Sequence, residues 1–186
     1  MNLNNTIPLF VDLDGTIIKE DIGQMAIKKK VFSNFFCIFN IIFKFIFFGK
    51  PSVKLYVSRN YKLNFDEIHL KSACLDFISK ARKTNRKIFL ISGSQELVVK
   101  KIANKLNIFD DVYGTRENYN MVSYNKVKFI HDTLGFNKFD YIGNSHQDLK
   151  VWEYSENIIY TNVSKSLLSK INVMNKNKIC IKSIFN

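Results

Sequence analysis

Residues 7–16, Ile-Pro-Leu-Phe-Val-Asp-Leu-Asp-Gly-Thr, constrain this chain more than any other stretch. An apolar run ends abruptly in two carboxylates, Asp12 and Asp14, spaced i, i+2 and followed by Gly15 and Thr16. Such a run reads as a strand buried in a parallel sheet. A carboxylate pair at the C-terminal end of that strand sits where open α/β sheets bind their ligands. At average residue usage Asp-x-Asp-Gly-Thr arises by chance in on the order of one chain in 500 of this length, so coincidence accounts for it poorly.

At 186 residues the chain is long enough for one packed domain plus a modest insertion. Hydrophobic residues make up 46% and charged residues 24%, which describes a globular protein and excludes a disordered one. Cys37, Cys74 and Cys180 lie far apart without a Cys-x-x-Cys pair, which suggests neither a disulfide framework nor a zinc site and fits a reducing cytoplasm. Residues 1–6 lack the basic and apolar regions of an export signal, so a cytoplasmic protein is expected. The net charge of +12 is almost all lysine, the only arginines being Arg59, Arg82, Arg86 and Arg116. With Asn, Ile and Phe also abundant, this reads as a global compositional bias, and nucleic acid is not an expected partner. Attraction to an anionic membrane surface is a better use of the same charge.

Strand and helix patterns alternate along the chain. Strands are predicted at Ile7–Val11, Lys87–Ile91, Asp111–Tyr113, Phe139–Ile142 and, last, Ile158–Tyr160. Helices are predicted over Ile68–Lys83, Gln95–Leu106 (with Leu97, Val98, Ile102 and Leu106 on one face), Asn125–Leu134 and Gln147–Tyr154. The Asn- and Lys-rich stretch Asn172–Lys178 reads as a loop or frayed end. This alternation predicts an α/β fold, a parallel sheet with helices on both faces.

Residues 20–67 break the rhythm. Asp21-Ile22-Gly23-Gln24 has capping-box-like spacing with Asp in place of Ser/Thr, so a helix is predicted to start near Ile22. Val31–Phe48 is extremely apolar, with eight phenylalanines and one narrow polar stripe, Ser33, Asn34, Cys37, Asn40 and Lys44. It is short for a bilayer span and carries a lysine. Two readings stay open. The helix packs as part of a cap over the site, or residues 31–48 lie in a membrane interface flanked by Lys28, Lys29, Lys30, Lys50 and Lys54.

Four polar elements fall at or just beyond strand ends: Asp12–Thr16, Ile91-Ser92-Gly93-Ser94, Lys126, and Gly143-Asn144-Ser145-His146-Gln147-Asp148. A parallel sheet brings such positions to one rim. The set holds a nucleophilic carboxylate, a second carboxylate, a hydroxyl beside backbone amides, a cation and a metal-binding pair, the parts needed for phosphoryl transfer through an aspartyl-phosphate. Bland alternatives exist for each. Ser92 would serve as a helix cap, Lys126 as a surface lysine like Lys128, Asp21 as the cap noted above and His146 as a loop residue.

On Val11-Asp-Leu-Asp-Gly-Thr, Asn107-Ile-Phe-Asp-Asp-Val and Phe139-Asp-Tyr-Ile-Gly-Asn-Ser-His-Gln-Asp-Leu the chain resembles the haloacid dehalogenase superfamily of phosphatases, and within it the domain found beside UbiA-type prenyltransferases. The resemblance implies a Rossmann-like core, 1–19 and 68–186, with a small helical cap inserted at 20–67. It implies Asp12 as nucleophile and magnesium ligand, and Asp14 as the acid and base whose carbonyl also binds the metal. Ser92 and Gly93 would hold phosphoryl oxygens, with Gly15 and Thr16 beside them. Lys126 would neutralise the phosphate and position Asp12, while Asn144 and Asp148 would complete the Mg²⁺ site. Asp21, nine residues after the nucleophile, stands where phosphoserine-phosphatase-like relatives read their substrate. Asn144 departs from the aspartate common at its place, so the site loses a formal charge and should hold magnesium less tightly. The function implied is a Mg²⁺-dependent phosphomonoester hydrolase acting on a small-molecule or lipid-linked phosphate, such as an isoprenoid-linked or sugar phosphate, in the cytoplasm or peripherally at a membrane. The alternatives are a soluble phosphoserine-type phosphatase and a catalytically silent partner of a membrane prenyltransferase.

Overall fold

A computed structural model describes residues 7–59 and 61–182. Residues 1–6, expected to carry no export signal, lie outside the described residues. The strands are β1 (Leu9–Val11), β2 (Ile88–Gln95), β3 (Asp111–Thr115), β4 (Asp140–Gly143), β5 (Asn157–Tyr160) and β6 (Asn177–Cys180). All neighbours pair in parallel, in the order β3-β2-β1-β4-β5-β6. The helices are α1 (Ile22–Ser33), α2 (Cys37–Ser58), α3 (Ser72–Arg82), α4 (Glu96–Leu106), α5 (Tyr124–Lys128), α6 (Leu149–Tyr154) and α7 (Lys165–Asn172), and α5 runs on as a π-helical turn through Thr133.

Side chains alternate across a strand, so β1 sends Leu9 and Val11 to one layer and Phe10 to the other. Leu9 and Val11 join Ile78 of α3, Val99 and Ile102 of α4, and Ala26 and Val57 of α1 and α2. Phe10 joins Val127, Trp152 and Ile171 from α5, α6 and α7. Helices therefore cover both faces, and the α/β expectation holds. The strand order reverses beside β1, which opens a crevice between the C-terminal ends of β1 and β4.

The two helices after β1 leave and rejoin the core at one place. Lys19 N–H donates to His69 O at 2.9 Å, Lys71 N–H donates to Ile17 O at 2.8 Å, and Ile18 pairs antiparallel with Leu70. This pairing is why the helix expected from Ile68 begins only at Ser72: the apolar spacing of Ile68 and Leu70 serves an extended segment.

Several other expectations are corrected. Val31–Phe48 is not one helix. α1 stops at Ser33, where Asn34 Oδ1 accepts from Phe36 N–H at 3.0 Å, a local bond that competes with helix. α2 breaks at Gly49 (φ +73°), with Pro51 two residues on. Nor do its phenylalanines pack away: Phe32, Phe35, Phe36, Phe39, Phe43, Phe45, Phe47 and Phe48 are each more than half exposed, whereas Cys37 of the polar stripe is buried. Among the described residues no helix is long and apolar enough to cross a membrane. On α4, Leu97 is exposed and Val99 and Ala103 take the buried places, because Gln95 ends β2 and caps the helix through Leu97 N–H at 2.8 Å. The chain does not end its sheet at Tyr160. α7 follows, capped by Ser164, and Asn177–Cys180 forms an edge strand on β5 that begins inside the stretch Asn172–Lys178 expected to fray.

Candidate active site

Asp12 follows β1 directly, and its N–H donates to Ile142 O of β4 at 2.9 Å, which fixes it in the crevice. Its carboxyl is buried. Lys126 Nζ donates to Asp12 Oδ1 at 2.7 Å and to Tyr141 Oη at 2.6 Å, and Tyr141 Oη donates to Asp148 Oδ1 at 2.6 Å. Lys126 is buried, while Lys128 projects to solvent. Burial pushes the Asp12 pKa up to about 7; Lys126 opposes this, and Asp148 and Asp14 reinforce it. Burial pulls the Lys126 ammonium down, but Asp12 and Asp148 outweigh it and hold its pKa above the ordinary value.

Asp14 is clamped. Its Oδ1 accepts from Ile22 N–H at 2.8 Å, in the first turn of α1. Its Oδ2 accepts from Ser94 Oγ at 2.7 Å and Ser92 Oγ at 3.1 Å. Burial raises its pKa, with the Ile22 amide and the Ser94 hydroxyl opposing. The register of β2 against β3 shifts between Ile91 and Gln95, and such irregularities re-aim side chains beside sites. Ser92 is fully buried and caps no helix; Ser94, which sequence reasoning passed over, lines the cavity instead.

The loop after β4 winds around Asp148. Its Oδ2 accepts from Asn144 N–H at 3.0 Å, Ser145 N–H at 2.9 Å and Ser145 Oγ at 3.0 Å. A Cβ at Gly143 would stand 2.6 Å from Asp148 Cγ, so only glycine admits this fold-back. Asn144 lies against Gly15 (φ +72°), where a Cβ would collide with its side-chain amide. Thr16, expected at the substrate, is instead fully buried, donates to Asn144 Oδ1 at 3.2 Å, and does not line the cavity. The turn from Leu13 to Ile18 points its hydroxyl inward. His146 is exposed and also lies off the cavity.

The cavity has a volume of about 330 Å³ and is lined by Asp12, Asp14, Gly15, Gly93, Ser94 and Lys126 on the core side. Asp21, Lys54 and Val57 line it from α1 and α2. Asp21 does cap α1, accepting from Gln24 N–H at 2.9 Å, yet it faces the same space. Lys54, expected to flank a membrane helix, turns inward: its Nζ donates to Gly93 O at 2.6 Å and Asn120 Oδ1 at 3.0 Å. No sequence pattern distinguishes it from the other lysines of that segment.

Around Asp12 the carboxylates outnumber the buried ammonium, which is the condition a divalent cation relieves. The donors are hard oxygens, the type magnesium takes. Among the described residues no three Asp, Glu, His or Cys side chains converge as a ready-made cage. A cation here would therefore lean on the Asp12 carboxylate with neutral oxygens from Asp14 and Asn144. Asp148 already accepts four hydrogen bonds and shapes the loop that carries Asn144.

Solved structures superpose on this chain along nearly its whole length. A protein of unknown function from Bordetella pertussis Tohama I superposes with a TM-score of 0.68 at 11% identity, covering 95% of this chain and 99% of the other. A substrate-bound phosphoserine phosphatase gives 0.61 at 16% identity, with 96% and 94% covered. A phospho-aspartyl intermediate analogue of phosphoserine phosphatase gives 0.58 at 15% identity over the same shares. The chain has the haloacid dehalogenase fold. In sequence it is 26% identical over 168 residues to an uncharacterised protein, y4nM, of Sinorhizobium fredii, a match that takes in 89% of this chain. The chain spans 32% of the length of that relative. No family model matches.

Proposed function

We propose that this chain is a phosphomonoester hydrolase working through an aspartyl-phosphate on Asp12, with residues 20–67 as a helical cap over the site. The observation that carries this is the buried Lys126–Asp12 pair, 2.7 Å apart, opening into the same cavity as the clamped Asp14. Lys126 occupies Asp12 Oδ1, and Oδ2, which accepts no hydrogen bond among the described residues, is the atom that attacks phosphorus. As the Asp12–phosphorus bond forms and the ester P–O bond breaks, Asp14 gives its proton to the leaving oxygen. Its raised pKa favours the protonated form that this step needs. Asp14 then takes a proton from the water that attacks the same phosphorus, releasing phosphate and the Asp12 carboxylate. The Gly93 amide, in the cavity wall, would hold phosphoryl oxygens, and Ser92 and Ser94 act through Asp14, to which both donate. Magnesium, held by Asp12, Asp14 and Asn144, would offset charge on the transferring phosphoryl group.

The decisive experiment is hydrolysis of a generic aryl phosphate with magnesium or with excess chelator, by the native chain and Asp12→Asn. The amide keeps the shape but is a poor nucleophile, so activity should fall to background. Undiminished turnover by Asp12→Asn would overturn the mechanism.

Two substrate classes have support. The exposed phenylalanines of residues 31–48 favour peripheral contact with a membrane surface and a lipid-linked phosphate, in keeping with the resemblance to the prenyltransferase-associated group. Asp21 and Lys54, which bring a carboxylate and an ammonium to the cap side of the cavity, favour a small zwitterionic phosphate of the phosphoserine kind. A panel holding both classes, assayed with and without vesicles, separates them.

A further inference from the structure

The cap carries a second cavity, of about 310 Å³, backing onto the catalytic one: Ala26 and Val57 line both. Its other walls are Lys29, Lys30, Ser33, Tyr61 and Lys62. Lys29 is tied to Glu67 at 2.8 Å. Lys30 Nζ stands 5.0 Å from the centre of the Tyr56 ring, and Lys44 Nζ lies 5.6 Å from that ring and 5.8 Å from Phe48. The basic groove is thereby joined to the apolar half of α2. Tyr61 is 7% exposed, and its hydroxyl is buried without a hydrogen-bond partner among the described residues.

Apart from Glu67, which pairs with Lys29, charge along the segment that forms this groove is one-sided. Between Ile22 and Phe65 the chain has seven lysines, one arginine and no acid, which is +8 of the total +12. The bias noted across the chain does not account for acids being missing here and present elsewhere. Directly beside the groove, Phe32 is 91% exposed, and Phe35, Phe36 and Phe39 follow it into solvent. Apolar side chains flanked by cations, with no acid among them, match the boundary between lipid headgroups and acyl chains. A soluble phosphate would account for the lysines but not for the phenylalanines.

We propose that the groove bounded by Lys29, Lys30, Ser33, Tyr61 and Lys62 binds the phosphate headgroup of an anionic lipid while the phenylalanine tip enters the acyl boundary. This rests on the membrane reading above and adds to it a defined headgroup site, separated from the catalytic cavity by Ala26 and Val57. The ammonium groups of Lys30 and Lys62 supply donors for phosphate oxygens, while the Ser33 hydroxyl donates to Lys30 O at 2.9 Å, and a bound headgroup leaves Asp12 open to substrate.

The test uses the full chain in flotation with phosphatidylcholine vesicles, with and without phosphatidylglycerol, and inorganic phosphate as a soluble competitor. Binding should require the anionic lipid and weaken as salt rises. Lys30→Gln/Lys62→Gln should weaken it about tenfold or more, while Lys165→Gln/Lys170→Gln on α7, which removes the same charge outside the cap, should leave it unchanged. Circular dichroism checks that each variant is folded. Phe43→Ser/Phe47→Ser should abolish vesicle binding. If that tip variant loses binding but the two lysine pairs behave alike, the membrane reading stands and the headgroup site falls. If no vesicle binds the native chain, both fall. Displacement by inorganic phosphate at constant ionic strength would assign the groove to a soluble anion and overturn the lipid commitment.

Discussion

Tyr141 donates its hydroxyl hydrogen to Asp148 Oδ1 at 2.6 Å, deep under the rim of the cavity. The same phenol oxygen accepts from Lys126 Nζ at 2.6 Å. One phenol thus ties the cation that holds Asp12 to the carboxylate that shapes the Asn144 loop. Burial, then Asp148 and Asp12, push its own pKa well above the ordinary value, so it stays a donor across the working range.

Tyr141→Phe keeps the ring in its packed site and removes the link. Lys126 and Asp148 then lose a partner each in a buried setting, where an unmade hydrogen bond costs about 1–3 kcal/mol. We expect kcat for an aryl phosphate to fall about tenfold with KM little changed, and half-saturation by magnesium to rise as the Asn144 loop loosens. A variant with unaltered kcat and magnesium response would show that the phenol only packs.

A residue's place in the candidate site was legible in the sequence where it showed in the neighbours along the chain. Asp12 and Asp14 stood out because two acids placed directly after a buried apolar run are costly to desolvate unless a cation or ligand meets them. Tyr141 did not, since a tyrosine inside Phe139–Ile142 fits strand periodicity as a core residue. Ser94 was hidden in a Ser-Gly-Ser stretch that reads as a helix cap, and Lys54 among lysines that read as a membrane flank. In each case the role comes from a partner far along the chain: Ser94 to Asp14, Lys54 to Gly93, Tyr141 to Lys126. The sheet was legible where strands are buried on both faces. β6 escaped because an edge strand with one buried residue has the composition of a loop.

Lys54 reaches from α2 to the Gly93 carbonyl, and burial lowers its pKa, with Asp14 and Asp21 opposing. Lys54→Met preserves the stem and deletes the charge at the cavity mouth. We expect KM for anionic phosphates to rise about tenfold, roughly the 1.4 kcal/mol of one charge-assisted contact, with a smaller change in kcat. A membrane-facing lysine would instead weaken vesicle binding and leave the kinetics alone, and steady-state assays beside flotation tell the two apart.

Asn144→Asp adds a charged oxygen next to Asp12 and Asp14. Thr16 can still donate to it, so the local geometry has no reason to change. Without magnesium the extra charge joins an already acidic cluster, and the melting temperature should drop. With magnesium it should recover, and calorimetric titration should show tighter binding than in the native chain. Unchanged affinity together with unchanged apo stability would place Asn144 away from any cation.

At the opposite end of the strands, Arg86 and Asp140 form an ion pair whose side chains are both fully buried. Arg86 Nε also donates to Ile7 O at 2.7 Å, and Asp140 Oδ1 accepts from Asn157 N–H at 3.0 Å and Nδ2 at 2.7 Å. Arg86 Nη1 has no hydrogen-bond partner among the described residues, so the pair is only partly satisfied. Removing one partner leaves a buried charge uncompensated, and Asp140→Ala should cost about 3–5 kcal/mol in urea unfolding. Replacing both with apolar residues removes the desolvation burden as well, so Arg86→Met/Asp140→Leu should recover most of that loss. A double variant less stable than Asp140→Ala would mean that the Arg86 bond to Ile7 and the Asp140 bonds to Asn157, not the ion pair, secure this end of the sheet.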